Sequence, residues 1–253
     1  MDFRIEVESL QRVFKFLSIT AKSNTTDMPG LVLITADPES NKLYFLSNSV
    51  SNAIEISSDK VETKEPGSVA LEYGKLKSFV ASFSPWSEER GTKDIRFRVK
   101  GNDCIVTART SFTGGNTSTT TIKIPIYPTS IVKHPAKFEK ETFMLDAAIV
   151  RAAINKIVYT IDPADPRPFL HTMKIEFTKD DIKFVGTNGK SLSEYRVKNI
   201  YTLKEGIFLF RYDLLMCLRR AITEEGDVYF DLTDKFIMVK FQDFTLWGMN
   251  ITG

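Results

Sequence analysis

The sequence predicts an α+β protein built from two similar units in tandem. Three observations predict it. A strand-then-helix pattern recurs at a near-constant offset, short β-periodic runs alternate with amphipathic helices, and the residue groupings of a catalytic or metal site are missing. At 253 residues the chain has room for one large domain or two ordinary ones.

The first copy opens at Phe3–Thr20 (FRIEVESLQRVFKFLSIT) and the second at Phe143–Thr160 (FMLDAAIVRAAINKIVYT), 140 positions on. At that offset Leu10 meets Val150, Val13 meets Ala153, Phe14 meets Ile154 and Leu17 meets Ile157. Those positions are i, i+3, i+4 and i+7, the buried stripe of a helix. Each copy starts as a short strand, and Ser9 and Asp146 are the expected helix starts.

Further on, KLYFLS (Lys42–Ser47) matches DIKFVG (Asp181–Gly186) at an offset of 139. GSVALEYGKLKSF (Gly67–Phe79) matches GIFLFRYDLLMCL (Gly206–Leu218) at the same offset, with Tyr73 on Tyr212 and Leu76 on Leu215. IRFRV (Ile95–Val99) matches VYFDL (Val228–Leu232) at 133, and the turn Gly101–Asp103 answers to Thr233–Lys235. The fall of six puts a length difference in the loop around Ser84–Lys93. Each unit therefore reads strand, helix, two or three strands, short helix, two or three strands. Alternation marks strands at Ile95, Phe97 and Val99 and at Ile175 and Phe177. Gly114-Gly115-Asn116 is a hairpin turn between Thr-rich strands. The expected boundaries are 1–125 for the first unit, 126–140 for a proline-containing connector and 141–253 for the second.

Composition excludes several classes. Hydrophobic residues at 42% and charged residues at 26% are an ordinary globular balance. A net charge of +2, from 34 Lys+Arg and 32 Asp+Glu, cannot hold the chain to nucleic acid by bulk charge. Cys104 and Cys217 lack a second Cys or a His at metal-ligand spacing, and the simplest reading is a reducing, intracellular compartment, the cytoplasm. No apolar run is long enough for a membrane span, and residues 1–7 carry no signal core. The Asn-x-Ser/Thr matches at Asn24, Asn116 and Asn250 are then chance.

No enzyme is expected. His134 lies in the connector and His171 at a strand start, and both read as structural or surface residues. Gly186-Thr187-Asn188-Gly189-Lys190-Ser191 contains GKS, but a phosphate loop needs Gly at position 184, which is Phe184. LSEYRV (Leu192–Val197) alternates like a strand, so Asn188-Gly189 is a turn between strands. The acid pairs Asp180-Asp181, Glu88-Glu89 and Glu224-Glu225 read as solvated turns, and no metal or cofactor is expected.

The helices hold the remaining signal. Gln11, Arg12 and Lys15 lie off the apolar stripe of the first helix, and Arg151, Asn155 and Lys156 off its counterpart. The short helices carry Lys75 and Lys77 in one copy and Arg219 and Arg220 in the other. Acids are scarce on these faces. Such segregation suits contacts to a phosphate backbone without base readout. Lys and Arg are also good helix formers on any solvated face, so the pattern alone leaves both readings open.

Arg167–Val197 (RPFLHTMKIEFTKDDIKFVGTNGKSLSEYRV) resembles the middle domain of bacterial DNA polymerase III β sliding clamps. The resemblance rests on Arg167, Leu170, Met173 and the turn Thr187-Asn188-Gly189-Lys190-Ser191-Leu192. The helix Asp146–Tyr159 fits the same domain, and KIPIYPTSI (Lys123–Ile131) resembles the end of the first. Asn188 departs from the usual Asp, and Lys190-Ser191 from His-Arg. The resemblance implies a DNA-clamp fold with antiparallel sheets outside and two helices inside each domain. Bacterial β clamps have three domains per chain and close as dimers. A two-domain chain looks like the phage, archaeal and eukaryotic plan, which closes as a trimer; a fragment of a three-domain clamp is the other possibility.

As a member of that family the chain is expected to be a polymerase processivity factor that encircles duplex DNA without sequence preference. Arg12, Lys15, Lys75, Lys77, Arg151, Lys156, Arg219 and Arg220 would face the DNA. Polymerase and clamp loader would dock through short peptides on Arg167, Leu170, Thr187, Gly189, Lys190 and Leu192. Two-domain clamps use an intrachain junction instead, which brings in Ser47 and Val50 of the first copy; Leu170 and Leu192 also read as plain core residues. The phage-like plan would place the chain in a host cytoplasm. A clamp-fold docking scaffold in transcription or checkpoint signalling, without DNA encirclement, is the alternative, and an unrelated duplicated α+β enzyme a third.

Overall fold

A computed structural model of the chain describes residues 1–18, 20–21, 29–49, 51–87, 90–135, 143–200, 205–222, 225–233 and 235–250. It divides into two compact units, Met1–His134 and Pro135–Gly253.

The first unit runs β1 (Asp2–Glu6), α1 (Val7–Leu17), β2 (Leu31–Asp37), β3 (Lys42–Asn48), β4 (Asn52–Ser58), β5 (Val61–Glu65), β6 (Gly67–Glu72), α2 (Tyr73–Ala81), β7 (Gly91–Lys100), β8 (Asp103–Ser111) and β9 (Thr117–Tyr127). Its strands join in the order β4-β3-β2-β6-β9-β8-β7-β1-β5, with antiparallel neighbours throughout. β9 links the two halves of this sheet. Its end pairs with β6 at Ile126 and Tyr127, while Thr117–Pro125 pair with β8.

The second unit runs β10 (Phe143–Asp146), α3 (Ala147–Ile157), β11 (Thr172–Phe177), β12 (Asp181–Thr187), β13 (Leu192–Lys198), β14 (Gly206–Arg211), α4 (Tyr212–Ala221), β15 (Asp227–Leu232), β16 (Phe236–Phe241) and β17 (Phe244–Met249). Two four-stranded antiparallel ribbons result, β10-β15-β16-β17 and β13-β12-β11-β14.

The repeat is real at the level of side chains. Phe3 on β1 stacks flat on its cross-strand partner Phe97 at 4.7 Å. Phe143 stacks on Phe230 in the same way at 4.5 Å. The predicted helix stripes, Leu10, Val13, Phe14 and Leu17 and their counterparts Val150, Ala153, Ile154 and Ile157, are all buried, and each fully buried aliphatic side chain contributes about 1.5–3 kcal/mol of apolar transfer. Among the described residues the first unit has one strand more, since β5 has no counterpart.

Local chemistry explains where elements start and stop. Asp146 caps α3 as expected, its Oδ1 accepting from the Ala148 N–H at 2.6 Å. Ser9 does not start α1. The strand turns directly into the helix at Glu6, and Val7 is already buried in the first turn; with the burial pattern deciding the start, no side-chain cap is made there. The hairpin at Gly114-Gly115 has both glycines at positive φ, +88° and +82°, which only glycine adopts at no steric cost. The first nine residues of the expected connector, from Ile126 to His134, belong to the first compact unit. β9 continues through Tyr127, Val132 is buried, and Asn48 Nδ2 donates to the Lys133 carbonyl at 2.9 Å.

Candidate nucleic-acid interface and docking site

In each unit the two helices pack on one another. In the first, Tyr73 of α2 donates its hydroxyl to the Phe14 carbonyl of α1 at 2.9 Å, and Gln11 Nε2 donates to the Phe83 carbonyl at 2.8 Å. Burial pushes the Tyr73 phenol up to about 12, so it stays a donor. These bonds fix the register of the two helices, and with it the outward placement of their charges.

All eight basic residues singled out in the sequence lie in the four helices: Arg12 and Lys15 in α1, Lys75 and Lys77 in α2, Arg151 and Lys156 in α3, Arg219 and Arg220 in α4. The same four helices hold two acids, Glu8 and Asp213. The whole chain is nearly balanced, 34 to 32, so the excess is local to the helices. Arg12, Lys15, Lys75, Lys77, Lys156, Arg219 and Arg220 are exposed, and Arg151 is half-buried. They are not equivalent. Lys75 is held by Glu72 at 2.8 Å. Lys77 sits 5.7 Å from the centre of the Tyr73 ring, and Lys156 lies 4.5 Å above Tyr195 of β13.

The turn between β12 and β13 is the strand–strand turn that the GKS segment was expected to be. Thr187 pairs with Leu192 across it, and Gly189 has φ +82°. Asn188 Oδ1 accepts from the N–H of Lys190 at 3.0 Å and of Ser191 at 2.8 Å, and Thr187 Oγ1 accepts from the Gly189 N–H. The turn is thus held by its own side chains.

Three of the expected docking residues meet here. A Cβ on Gly189 would lie 3.2 Å from Arg167 Nη2 and 3.8 Å from Leu170 Cδ1. Arg167 is clamped by Asp165, which accepts from Nε, Nη2 and the Arg167 backbone N–H, each at 2.9 Å. Those bonds hold the Asp165 carboxyl well below the usual carboxylate range. His171 also bonds the Asp165 carbonyl. Leu170 is buried, at 3% exposed, so it forms the floor of the site, while Leu192 is 66% exposed.

Sequence reasoning missed two residues beside this turn. Phe169, between Arg167 and Leu170, is 57% exposed, and Tyr159 is 72% exposed, its hydroxyl accepting from Ser193 Oγ at 3.3 Å. The signal for Phe169 is its place inside Arg167–Val197; Tyr159 follows the buried stripe of α3 and carries no pattern of its own. In the first unit Ser47 is fully buried and donates to the Leu31 carbonyl at 3.1 Å. It has no surface to offer a partner. Val50 lies outside the described residues.

Neither thiol is a reactive centre. Cys104 and Cys217 are free and buried, and burial pushes both up to about 12. Among the described residues no cluster of His, Cys, Asp and Glu could hold a metal ion, and no helix is long and apolar enough to cross a membrane.

No protein-family model and no curated protein matches this chain. Solved structures do match. DNA polymerase III subunit beta from Pseudomonas aeruginosa superposes with a TM-score of 0.82 at 18% identity, covering 100% of this chain and 65% of that one. The sliding clamp of Bacillus subtilis gives 0.83 at 14% identity, again covering 100% and 65%. The Helicobacter pylori beta clamp bound to a DNA ligase peptide gives 0.81 at 12% identity, covering 100% and 67%. The chain thus spans about two thirds of the length of these proteins. Its fold is that of the DNA polymerase III beta sliding clamps.

Proposed function

We propose that this chain is a DNA sliding clamp, a processivity factor that surrounds duplex DNA and tethers polymerase and other replication proteins. One observation carries the reading. The helices of both units hold eight cations and two acids in a chain of nearly balanced charge. Duplicated basic helices on a clamp fold suit a channel that meets phosphates from all sides with no base readout. Weak contacts of that kind let a ring slide, and topology rather than affinity keeps it on DNA.

A ring needs edges that join. Among the described residues β13 pairs only with β12, and Thr117–Pro125 of β9 pair only with β8. Unpaired edges are a liability unless covered, and head-to-tail joining of two different edges closes a ring when the rotation closes. A six-domain ring made of three such chains is the assembly this reading favours. Polymerase and clamp loader would present short peptides to the turn at Arg167, Leu170, Thr187, Gly189, Lys190 and Leu192, with Phe169 as a further apolar contact.

The test is topological. Purified chain is loaded with its host's clamp loader and ATP onto a nicked circular plasmid and separated by gel filtration in moderate salt. A clamp stays with the circle and is lost when the circle is cut once. Equal loss from circle and line, with peptide partners still bound, would instead make the protein a docking scaffold that never encircles DNA.

A further inference from the structure

The duplication shows which faces of the chain are left open. In the second unit the last strand is covered. Phe244, Leu246 and Trp247 of β17 are buried, as are Leu214 and Cys217 of α4, which packs beside it. In the first unit the same places are bare. Along the equivalent hairpin, Thr120, Ile122 and Lys123 of β9 stand where Phe244, Leu246 and Trp247 stand. Thr120 and Lys123 are exposed and Ile122 is half-buried. Lys75 and Ser78 of α2 take the places of Leu214 and Cys217, and both are exposed.

The other edge is reversed. Ala53, Ile54 and Ile56 of β4 are buried in the first unit. Their counterparts on β13 in the second, Leu192, Ser193 and Tyr195, are exposed or half-buried. Each unit therefore has one covered edge and one bare edge, and the bare edges are of opposite kinds. A second copy of the chain can supply to each the face that it lacks, which is the head-to-tail relation.

The bare face of the first unit is hollow. Between α2 and β9 runs a groove of about 620 Å³, floored by Phe79, Ile122 and Ile124 and opened by the small residues Gly74 and Ser78. A Cβ on Gly74 would meet nothing nearer than Glu72 Oε1 at 3.9 Å. In the second unit the larger Asp213 and Cys217 stand at those two places.

The bare face of the second unit carries a projection. Tyr159, just past α3, is exposed, and its hydroxyl bond to Ser193 sets the ring along the β13 edge. Lys156 lies beside it over Tyr195. Charges on the two faces are complementary. On the helix side Glu72 lines the groove and Lys156 flanks Tyr159; on the outer side, by strand alternation, Lys123 is exposed on β9 and Glu194 on β13. Glu72 and Glu194 already hold Lys75 and Arg196 within their own units, and a carboxylate has room for a further donor.

We propose that a second copy of this chain docks on these faces, with the Tyr159 ring of one copy filling the groove between α2 and β9 of the next while β13 lies along β9. The proposal rests on the ring reading above and adds the contact that holds its joint. One aromatic anchor in a preformed apolar groove typically carries much of the free energy of an interface.

The test uses the full chain without DNA. Light scattering behind size exclusion, over a concentration series, should show reversible self-association. Y159A removes the ring and S78W fills the groove, and each should weaken association about tenfold. Both should melt with the parent at a dilution where all three are monomeric. Y159F should associate as the parent does, because the hydroxyl is bonded within its own unit. A short bismaleimide should join Y159C to S78C in an equal mixture of the two variants and should join neither variant to itself. Cys104 and Cys217 do not compete, since both are buried and their thiols are pushed up to about 12. Normal self-association of folded Y159A and S78W overturns the proposal. So does cross-linking of either variant alone as readily as of the mixture, or a parent that stays monomeric at every concentration. The clamp reading fails separately. A chain that cross-links as expected but is lost equally from circular and linear DNA keeps the joint and removes the clamp. A chain that is retained on the circle without cross-linking keeps the clamp and places its joint elsewhere.

Discussion

Gly189 turns the chain directly beneath the guanidinium of Arg167: its absent Cβ would stand 3.2 Å from Nη2, and its φ of +82° lies in the left-handed region. Two constraints coincide, one of backbone and one of space. The turn brings an exposed cation, a buried leucine and an open backbone to one point, the features that the proposed peptide docking would use. Gly189→Ala should cost about 1–2 kcal/mol through the backbone term alone. Urea unfolding should show it as a lower midpoint with unchanged slope. In an Arg167→Ala background the cost should fall by no more than about 0.5 kcal/mol, because the long side chain can yield a few tenths of an ångström. A larger coupling would mean that Asp165 holds the guanidinium rigidly in place.

Asp2 sets an acid limit on the first unit. Arg96 Nε donates to its Oδ1 at 2.8 Å and Arg98 Nε to its Oδ2 at 3.3 Å. The hydrogen bond from Arg96 is the chief cause that its pKa lies below the ordinary 3.8. A lowered carboxylate pKa gives stability that is complete above the unfolded value and is lost as pH falls through the folded one. Asp2→Asn should therefore lower the melting temperature by about 3–6 °C at pH 7. The gap should close as pH falls through the lowered folded-state pKa, where the parent carboxylate is protonated as well. A gap that does not narrow at all as the pH is lowered would assign the loss to packing and not to charge.

Much of this was legible because the two copies diverged under one packing constraint. The pairs Leu10/Val150 and Phe14/Ile154 changed identity but not character, and Phe3/Phe143 changed neither, since each fills the same interior place. Charge on the helices was legible for a similar reason: positions off the apolar stripe must face outward. What could not be read is what depends on facing surfaces. Ser47 stands in an alternating strand, and alternation gives two faces without saying which is buried; the structure buries it on Leu31. Ser9 was misread because capping rules assume a loop before the helix, and here β1 runs straight into α1. The longer loop between α2 and β7 left only an offset that fell by six, a length with no chemistry attached.

Gly186 tests the dismissal of the GKS segment from the other side. It serves packing. A Cβ there would lie 2.5 Å from Ile157 Cγ2 and 3.2 Å from Ile161 Cγ1, under the end of α3. Both neighbours are buried, so neither can swing away. Gly186→Ala should destabilise by about 1–3 kcal/mol through overpacking. Thermal unfolding checks it, and Ile157→Leu in the same chain should restore part of the loss, because leucine has no branch at Cβ and so lacks the Cγ2 methyl that the new Cβ would meet. No rescue would mean that strand β12 shifts as a whole.

The helix charges make a prediction that separates DNA contact from ordinary surface solvation. Arg219 and Arg220 are both exposed in the last turn of α4, where they also face the negative end of the helix dipole. Replacing them with alanine removes about 0.3–1 kcal/mol each of that local stabilisation, so melting should change little. If they meet phosphates, each lost contact lowers the steepness of the log K against log salt plot by about one. Arg219→Ala/Arg220→Ala should then show a slope smaller by about two per chain in duplex binding, together with shorter polymerase tracts in a primer-extension assay. Arg151→Ala added to the pair should deepen both effects. Unchanged slope and tract length in a folded triple variant would return these residues to the solvated surface and take the channel assignment with them.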